Sequence, residues 1–225
     1  MLMSKNKMIL LSLLALPVIG AATSPAALAA CGKGEKAVWC VGGKAFRGVE
    51  TYVSTGNVFK LEVTIEKASI AIECGAETGD GTIEKERSGT NSNIYSKCSV
   101  VGDPKCEVEE PIKASNLNTG LKVAAGKFYN EFNGELLAKI GLKNKGEEVC
   151  LLKGKYEVKG TGCSEVGPEA VKLVWRFSKA IEEACKTELT FFKEGSKVGK
   201  ATLTGESKLT LAGANKGQEW GAGLV

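Results

Sequence analysis

Eight cysteines, Cys31, Cys40, Cys74, Cys98, Cys106, Cys150, Cys163 and Cys185, are the side chains of this sequence best equipped for chemistry. Thiols can pair oxidatively, hold a metal or shuttle electrons, and spacing separates these uses. Thiolate zinc sites and redox motifs are built from close C-x-x-C pairs. None occurs here. An even number in an exported chain points instead to four disulfides, each contributing about 2–4 kcal/mol. Eight cysteines allow about 105 connectivities. Chain proximity favours Cys31–Cys40 and Cys98–Cys106, the second clipping a hairpin, which leaves Cys163–Cys185 and Cys74–Cys150.

Carboxylates are the next chemistry to weigh. A glycosidase needs only two, about 5–5.5 Å apart for retention or about 6.5–9.5 Å for inversion. Glu131 and Glu135, near the aromatics Tyr129 and Phe132, are the best-placed pair. The plainer reading puts both beside a turn on a solvated hairpin. Trp39, Trp175 and Trp220 are available as a ligand platform, although scattered aromatics of a β-protein usually belong to its core or rim. Histidine is absent, which removes Ser-His and Cys-His nucleophile pairs and the usual catalytic zinc ligand sets. No S-x-x-K follows the leader and no G-x-S-x-G occurs. Asp80 and Asp103 sit in Gly-Asp-Gly and Gly-Asp-Pro, where an aspartate caps turn amides, and no Asp-rich calcium loop exists. No catalytic, metal or cofactor-binding residue is expected.

The leader sets the compartment in which the cysteines are read. Lys5 and Lys7 precede the apolar run Met8–Ala22, and a small-residue stretch ends in Ala27-Leu28-Ala29-Ala30-Cys31. That order reads as a secretory signal over residues 1–30, ahead of a single domain over 31–225. Ala27-Leu28-Ala29 is an A-x-A cleavage site. Leu28-Ala29-Ala30-Cys31 also resembles a lipobox, in which Cys31 would be lipidated. The Thr23-Ser24-Pro25 spacer favours ordinary cleavage, and lipidation would leave Cys40 without a partner. The apolar run is shorter than the roughly 20 residues that span a bilayer.

The formal net charge is +4, of which two units belong to the lysines of the leader. The only arginines are Arg47, Arg87 and Arg176, too few and too scattered for a nucleic-acid surface. The expected partner is an extracellular or cell-surface ligand, with a membrane involved only if Cys31 carries lipid.

Strands must position all of these residues. Phe59, Leu61, Val63 and Ile65 alternate with Lys60, Glu62, Thr64 and Glu66, the clearest period of two in the chain. Ile70, Ile72 and Cys74 resume it. Cys31–Gly43 reads as a short cysteine-closed loop leading into an edge strand. Gly79-Asp80-Gly81 reads as a turn, Asn93–Val101 as a strand, and Gly102-Asp103-Pro104 as the turn back to Cys106, Val108 and Ile112. Asn144-Lys145-Gly146 is a hairpin signal between Glu135–Lys143 and Glu147–Lys159. Cys163 follows the turn-like Gly160-Thr161-Gly162. Glu169–Cys185 fits both helix and strand spacing; a strand through Phe177 and a helical turn at Ala180–Cys185 reconcile them. Glu188–Phe192 and Lys200–Leu211, joined at Gly195-Ser196-Lys197, close the pattern, with Leu203, Leu209 and Leu211 facing inward.

Several stretches together resemble a group of secreted proteins of actinobacteria to which no activity is assigned. They are Ile70–Cys74 with Gly81-Thr82-Ile83, Lys97-Cys98 with Cys106, Cys150 with Lys153-Gly154-Lys155, Ala201–Ser207, and Trp220-Gly221-Ala222. The resemblance implies an exported β-rich fold and carries no site.

The expectation is therefore an all-β, antiparallel sandwich or barrel-like domain stabilised by disulfides. Its expected role is that of a non-enzymatic binding or structural module outside the cell. The alternative is a carboxylate-based extracellular hydrolase.

Overall fold

The computed structural model describes Cys31 and residues 34–65, 68–85 and 87–225. The leader and its cleavage site lie outside the described residues, as does the Glu66-Lys67 step between the first two long strands.

The described residues form twelve strands and one helix: β1 Ala37–Val41, β2 Lys44–Ala45, β3 Glu50–Ile65, β4 Ala68–Ile83, β5 Ser88–Val101, β6 Cys106–Ala124, β7 Lys127–Asn144, β8 Gly154–Val166, β9 Leu173–Phe177, α1 Lys179–Cys185, β10 Glu188–Lys193, β11 Ser196–Leu211 and β12 Trp220–Leu224. From β3 to β8 each strand pairs antiparallel with the next. β11 returns to pair with β3, and β9 and β10 each bridge β8 to β11. The sheet thus closes on itself as an eight-stranded barrel whose seventh stave is made of β9 and β10, interrupted by α1. A separate sheet in the order β12-β1-β2 lies across one end.

The alternation in β3 explains which side is which. Tyr52, Ser54, Phe59 and Val63 are buried while Thr51, Thr55, Glu62 and Thr64 are exposed. The phase shifts between Ser54 and Phe59, where Val58 takes a positive φ of 45° and the β3–β11 register slips between Thr204 and Glu206. Ion pairs stud the outer face, among them Lys60–Glu62 at 2.6 Å, Lys127–Glu165 at 2.9 Å and Arg176–Glu206 at 3.2 Å. A barrel that spans a bilayer needs the opposite arrangement, with an apolar band facing out.

The four disulfides are Cys31–Cys40, Cys74–Cys98, Cys106–Cys150 and Cys163–Cys185. Two follow chain proximity. The expected Cys98–Cys106 and Cys74–Cys150 pairs are instead exchanged. Cys74 and Cys98 are direct register partners across β4 and β5. Tyr95 pairs with Ile112, a register that carries Cys98 past Cys106. Cys106, paired with Asn144 at the end of β7, is left beside the β7–β8 loop that brings Cys150.

Other local readings shift for similar reasons. Gly79-Asp80-Gly81 is not a turn but the middle of β4. A Cβ at Gly79 would lie 2.2 Å from Asn93 Oδ1, and one at Gly81 would lie 2.4 Å from the Tyr52 hydroxyl. These glycines make room inside the barrel. Cys163 and the Gly160-Thr161-Gly162 run lie within β8. Gly146 has the expected positive φ of 63°, but it opens a longer loop, because β8 does not start until Gly154. β1 is the middle strand of its small sheet, not an edge. The strand through Phe177 and the helix ending at Cys185 both stand, as does the turn at Asp103, whose Oδ1 accepts from Lys105 N at 3.1 Å.

Candidate ligand-binding interior

Three layers fill the barrel along its axis. Next to the small sheet is an aromatic plug. Trp39 of β1, Trp220 of β12, Trp175 of β9 and Tyr52 of β3 are all at most 2% exposed. Their ring centroids stand 5.5–6.4 Å apart. Four rings from remote positions meet because β1 pairs with β12 in a register that sets Trp39 opposite Ala222 and Val41 opposite Trp220. The indole N–H groups of all three tryptophans find no hydrogen-bond partner among the described residues. The Tyr52 hydroxyl donates to Thr90 O at 3.0 Å, and burial, aided by nearby Asp80 and Glu77, holds its ionisation far above the ordinary range. The tryptophans are thus core residues, not a surface platform.

A polar layer comes next. The Glu77 side chain is 1% exposed and accepts hydrogen bonds from Ser54 Oγ at 2.7 Å and Ser207 Oγ at 3.0 Å. In the orientation that satisfies both ends of the Asn93 amide, its nitrogen donates to Glu77 Oε1 at 3.0 Å and its oxygen accepts from Asn91 Nδ2 at 3.2 Å. Burial pushes the Glu77 carboxyl above its usual range, and the two serine hydroxyls partly oppose that shift. Fully buried Asn130 belongs to the same inward-facing set beside Ser164, and neither end of its amide has a partner among the described residues. Buried polar groups left in this way cost about 1–3 kcal/mol each, and sites that tolerate them commonly serve a ligand or ordered water.

Beyond the polar layer lies a cavity of about 80 Å³. Its wall is apolar, dominated by Phe59, Ile72, Phe132, Ile140 and Phe177, while Asn91, Asn93 and Tyr95 stand at its polar side. A void of this size has room for several water molecules, and is roughly half the 150 Å³ apolar cavity known to take benzene. Partly buried Tyr95 has its ionisation raised by desolvation first and by Glu77 second. The far end is closed by the loop after β7, where the Cys106–Cys150 bond anchors a chain segment whose Leu152 O accepts from the Tyr156 hydroxyl at 2.7 Å. Tyr156 stacks on Phe191 with centroids 4.8 Å apart.

The carboxylates singled out in the sequence are not brought to this interior. Glu131 points outward from β7 and pairs with Lys122, and Glu135 is exposed on the same strand. They flank no turn. Their neighbour Phe132 faces the cavity instead, and neither carboxylate lines it. The one cluster of metal-ligating types among the described residues, Asp103 with Cys106 and Cys150, has both sulfurs committed to a disulfide. The candidate site residues that the sequence did not single out are Glu77, Asn91 and Asn93. Their only signal was a polar residue at an inward position of a strand, which is invisible until the strand's phase is known.

Comparison with known protein families, with curated proteins and with solved structures returned no match to this chain.

Proposed function

We propose that this chain is an exported, non-enzymatic binding module that holds a small apolar ligand inside its barrel, the ligand's one hydrogen-bonding head directed at Asn91, Asn93 and Tyr95. The observation that carries the reading is the cavity itself. Eight-stranded barrels either fill their interior with side chains or keep space for one small ligand, and this one keeps space beside a polar layer. An apolar pocket with a few convergent polar groups is the usual form of a small-molecule site. Four disulfides support an oxidising, extracellular setting. The Cys31–Cys40 bond uses the thiol that a lipid anchor would need, which favours a soluble product.

Pyrrole, an apolar ring smaller than benzene with a single N–H, is the test ligand. Calorimetric titration of the mature protein should show saturable binding, and Ala114→Leu, which fills the cavity from a lining position, should abolish it without lowering the melting temperature. No saturable binding by the unmodified protein, or undiminished binding by the filled variant, would overturn the reading.

A further inference from the structure

Both ends of the barrel are closed, yet its wall is incomplete. β8 pairs with β10 over Tyr156–Thr161 and with β9 only at Glu165 and Val166. β11 pairs with β10 over Ser196–Ala201 and with β9 over Gly205–Leu209. Between these ladders, residues 162–164 on one side and 202–204 on the other face no strand. Three residues along each edge and two strand spacings across define a window of about 10 Å by about 10 Å. The chain that should fill it, residues 178–187, forms α1 instead, capped by Ser178, whose Oγ accepts from Ile181 N at 3.3 Å.

The window opens on the cavity. Phe177 and Leu189, the residues on either side of the break, line it, as do Leu203 and Phe132. The Phe132 ring lies against the wall because position 162 is glycine: a Cβ there would stand 2.1 Å from the ring. Outside, α1 covers the opening with unequal fastenings. On the β8 side it is held covalently by Cys163–Cys185, over a small cluster formed with Tyr129 and Ile181. On the β11 side its buried Glu182 accepts from Leu203 N at 3.1 Å, so one carboxylate replaces the missing strand.

We infer that α1 is a door in the barrel wall, hinged at Cys163–Cys185 and latched by Glu182 on the Leu203 N–H, through which ligand reaches the cavity. The inference rests on the cavity being a binding site, but its test does not depend on pyrrole. Xenon occupies apolar cavities without needing a polar head, and its exchange can be followed by NMR. Glu182→Ala should speed xenon association and dissociation alike, by about tenfold for the loss of one charge-assisted hydrogen bond, and leave occupancy unchanged. Glu182→Gln, whose amide oxygen can still accept from Leu203, should keep the original rates. So should Cys106→Ser combined with Cys150→Ser, which loosens only the far end. Faster exchange in that paired variant but not in Glu182→Ala would place the entrance at the end of the barrel and overturn the door. Occupancy altered through the dissociation rate alone, with association unchanged, would make α1 ordinary wall and overturn the door equally. Xenon bound at equal rates in every variant sinks the door alone; no bound xenon anywhere sinks the cavity reading with it. In the unmodified protein, amide hydrogens of residues 179–185 and of Leu203 should exchange together and ahead of Leu189–Phe191. Exchange of all of them only on global unfolding would likewise overturn the door.

Discussion

The two ends of this barrel are closed by different physics. The plug end depends on four aromatic rings converging from β1, β3, β9 and β12, with the tryptophan N–H groups left without partners among the described residues. Its closure is mainly ring burial, with the Tyr52–Thr90 hydrogen bond and the Cys31–Cys40 bond on β1 beside it. The loop end depends on a covalent bond, Cys106–Cys150, backed by one hydroxyl-to-carbonyl hydrogen bond and a stacked pair. Burial of large rings can offset unsatisfied donors worth about 1–3 kcal/mol each, but only while the whole cluster stays assembled. A disulfide instead restricts the unfolded chain and needs no such assembly. The plug should therefore be the more cooperative closure and the loop the more local one.

Trp220→Ala tests the plug most severely. It removes a ring that meets both Trp39 and Tyr52, and should cost about 3–5 kcal/mol in denaturant unfolding. A loss below about 1 kcal/mol would show that the rings are not what holds that end. Cys106→Ser with Cys150→Ser should cost less, about 2–4 kcal/mol. Limited proteolysis of this variant should cut first in the exposed segment around Val149 and Leu151; first cuts near Trp39 or Trp220 would contradict the separation of the two ends. The smallest effect concerns acidity and falls on the plug side alone, where Glu77 lies. Because burial raises its carboxyl in the folded state, the folded protein holds that proton more tightly than the unfolded chain does. The associated stability is full below the ordinary carboxylate range and fades as pH rises through the raised value. Glu77→Gln should thus match the unmodified protein at low pH and become relatively more stable toward neutral pH. A stability difference that stays constant with pH would mean that Glu77 is not the titrating group.

Much of the wall was legible in the chain. β3 and the resumption at Ile70 follow from apolar alternation, and the helix before Cys185 was readable because Phe177 and Ile181 change period there. Closure was not legible. Pairing of β11 with β3, and of β8 with β10, joins positions whose only signature is alternation, and alternation does not name a partner. The same gap explains the glycines of β4, which look like turn formers until Tyr52 and Asn93 are known to lie opposite them. It also explains why the strand through Tyr95 was expected to begin at Asn93 and not at Ser88. Asn91 and Asn93 face inward, and polar residues on an inner face blur the period of two. The terminal strand β12 was missed because Trp220-Gly221-Ala222-Gly223-Leu224 offers two glycines and little β-branching, and its pairing with β1 supplies what propensity lacks.

The gathering of Trp39, Trp175 and Trp220 into one cluster has an optical consequence, since the chain has three tryptophans in all. Near-ultraviolet absorption and emission of the native protein are dominated by one end of the barrel. A fluorescence-monitored transition follows disassembly of the plug, while circular dichroism in the peptide band follows the staves. If the first precedes the second, the spectra alone separate opening of the plug from collapse of the wall, with no label attached.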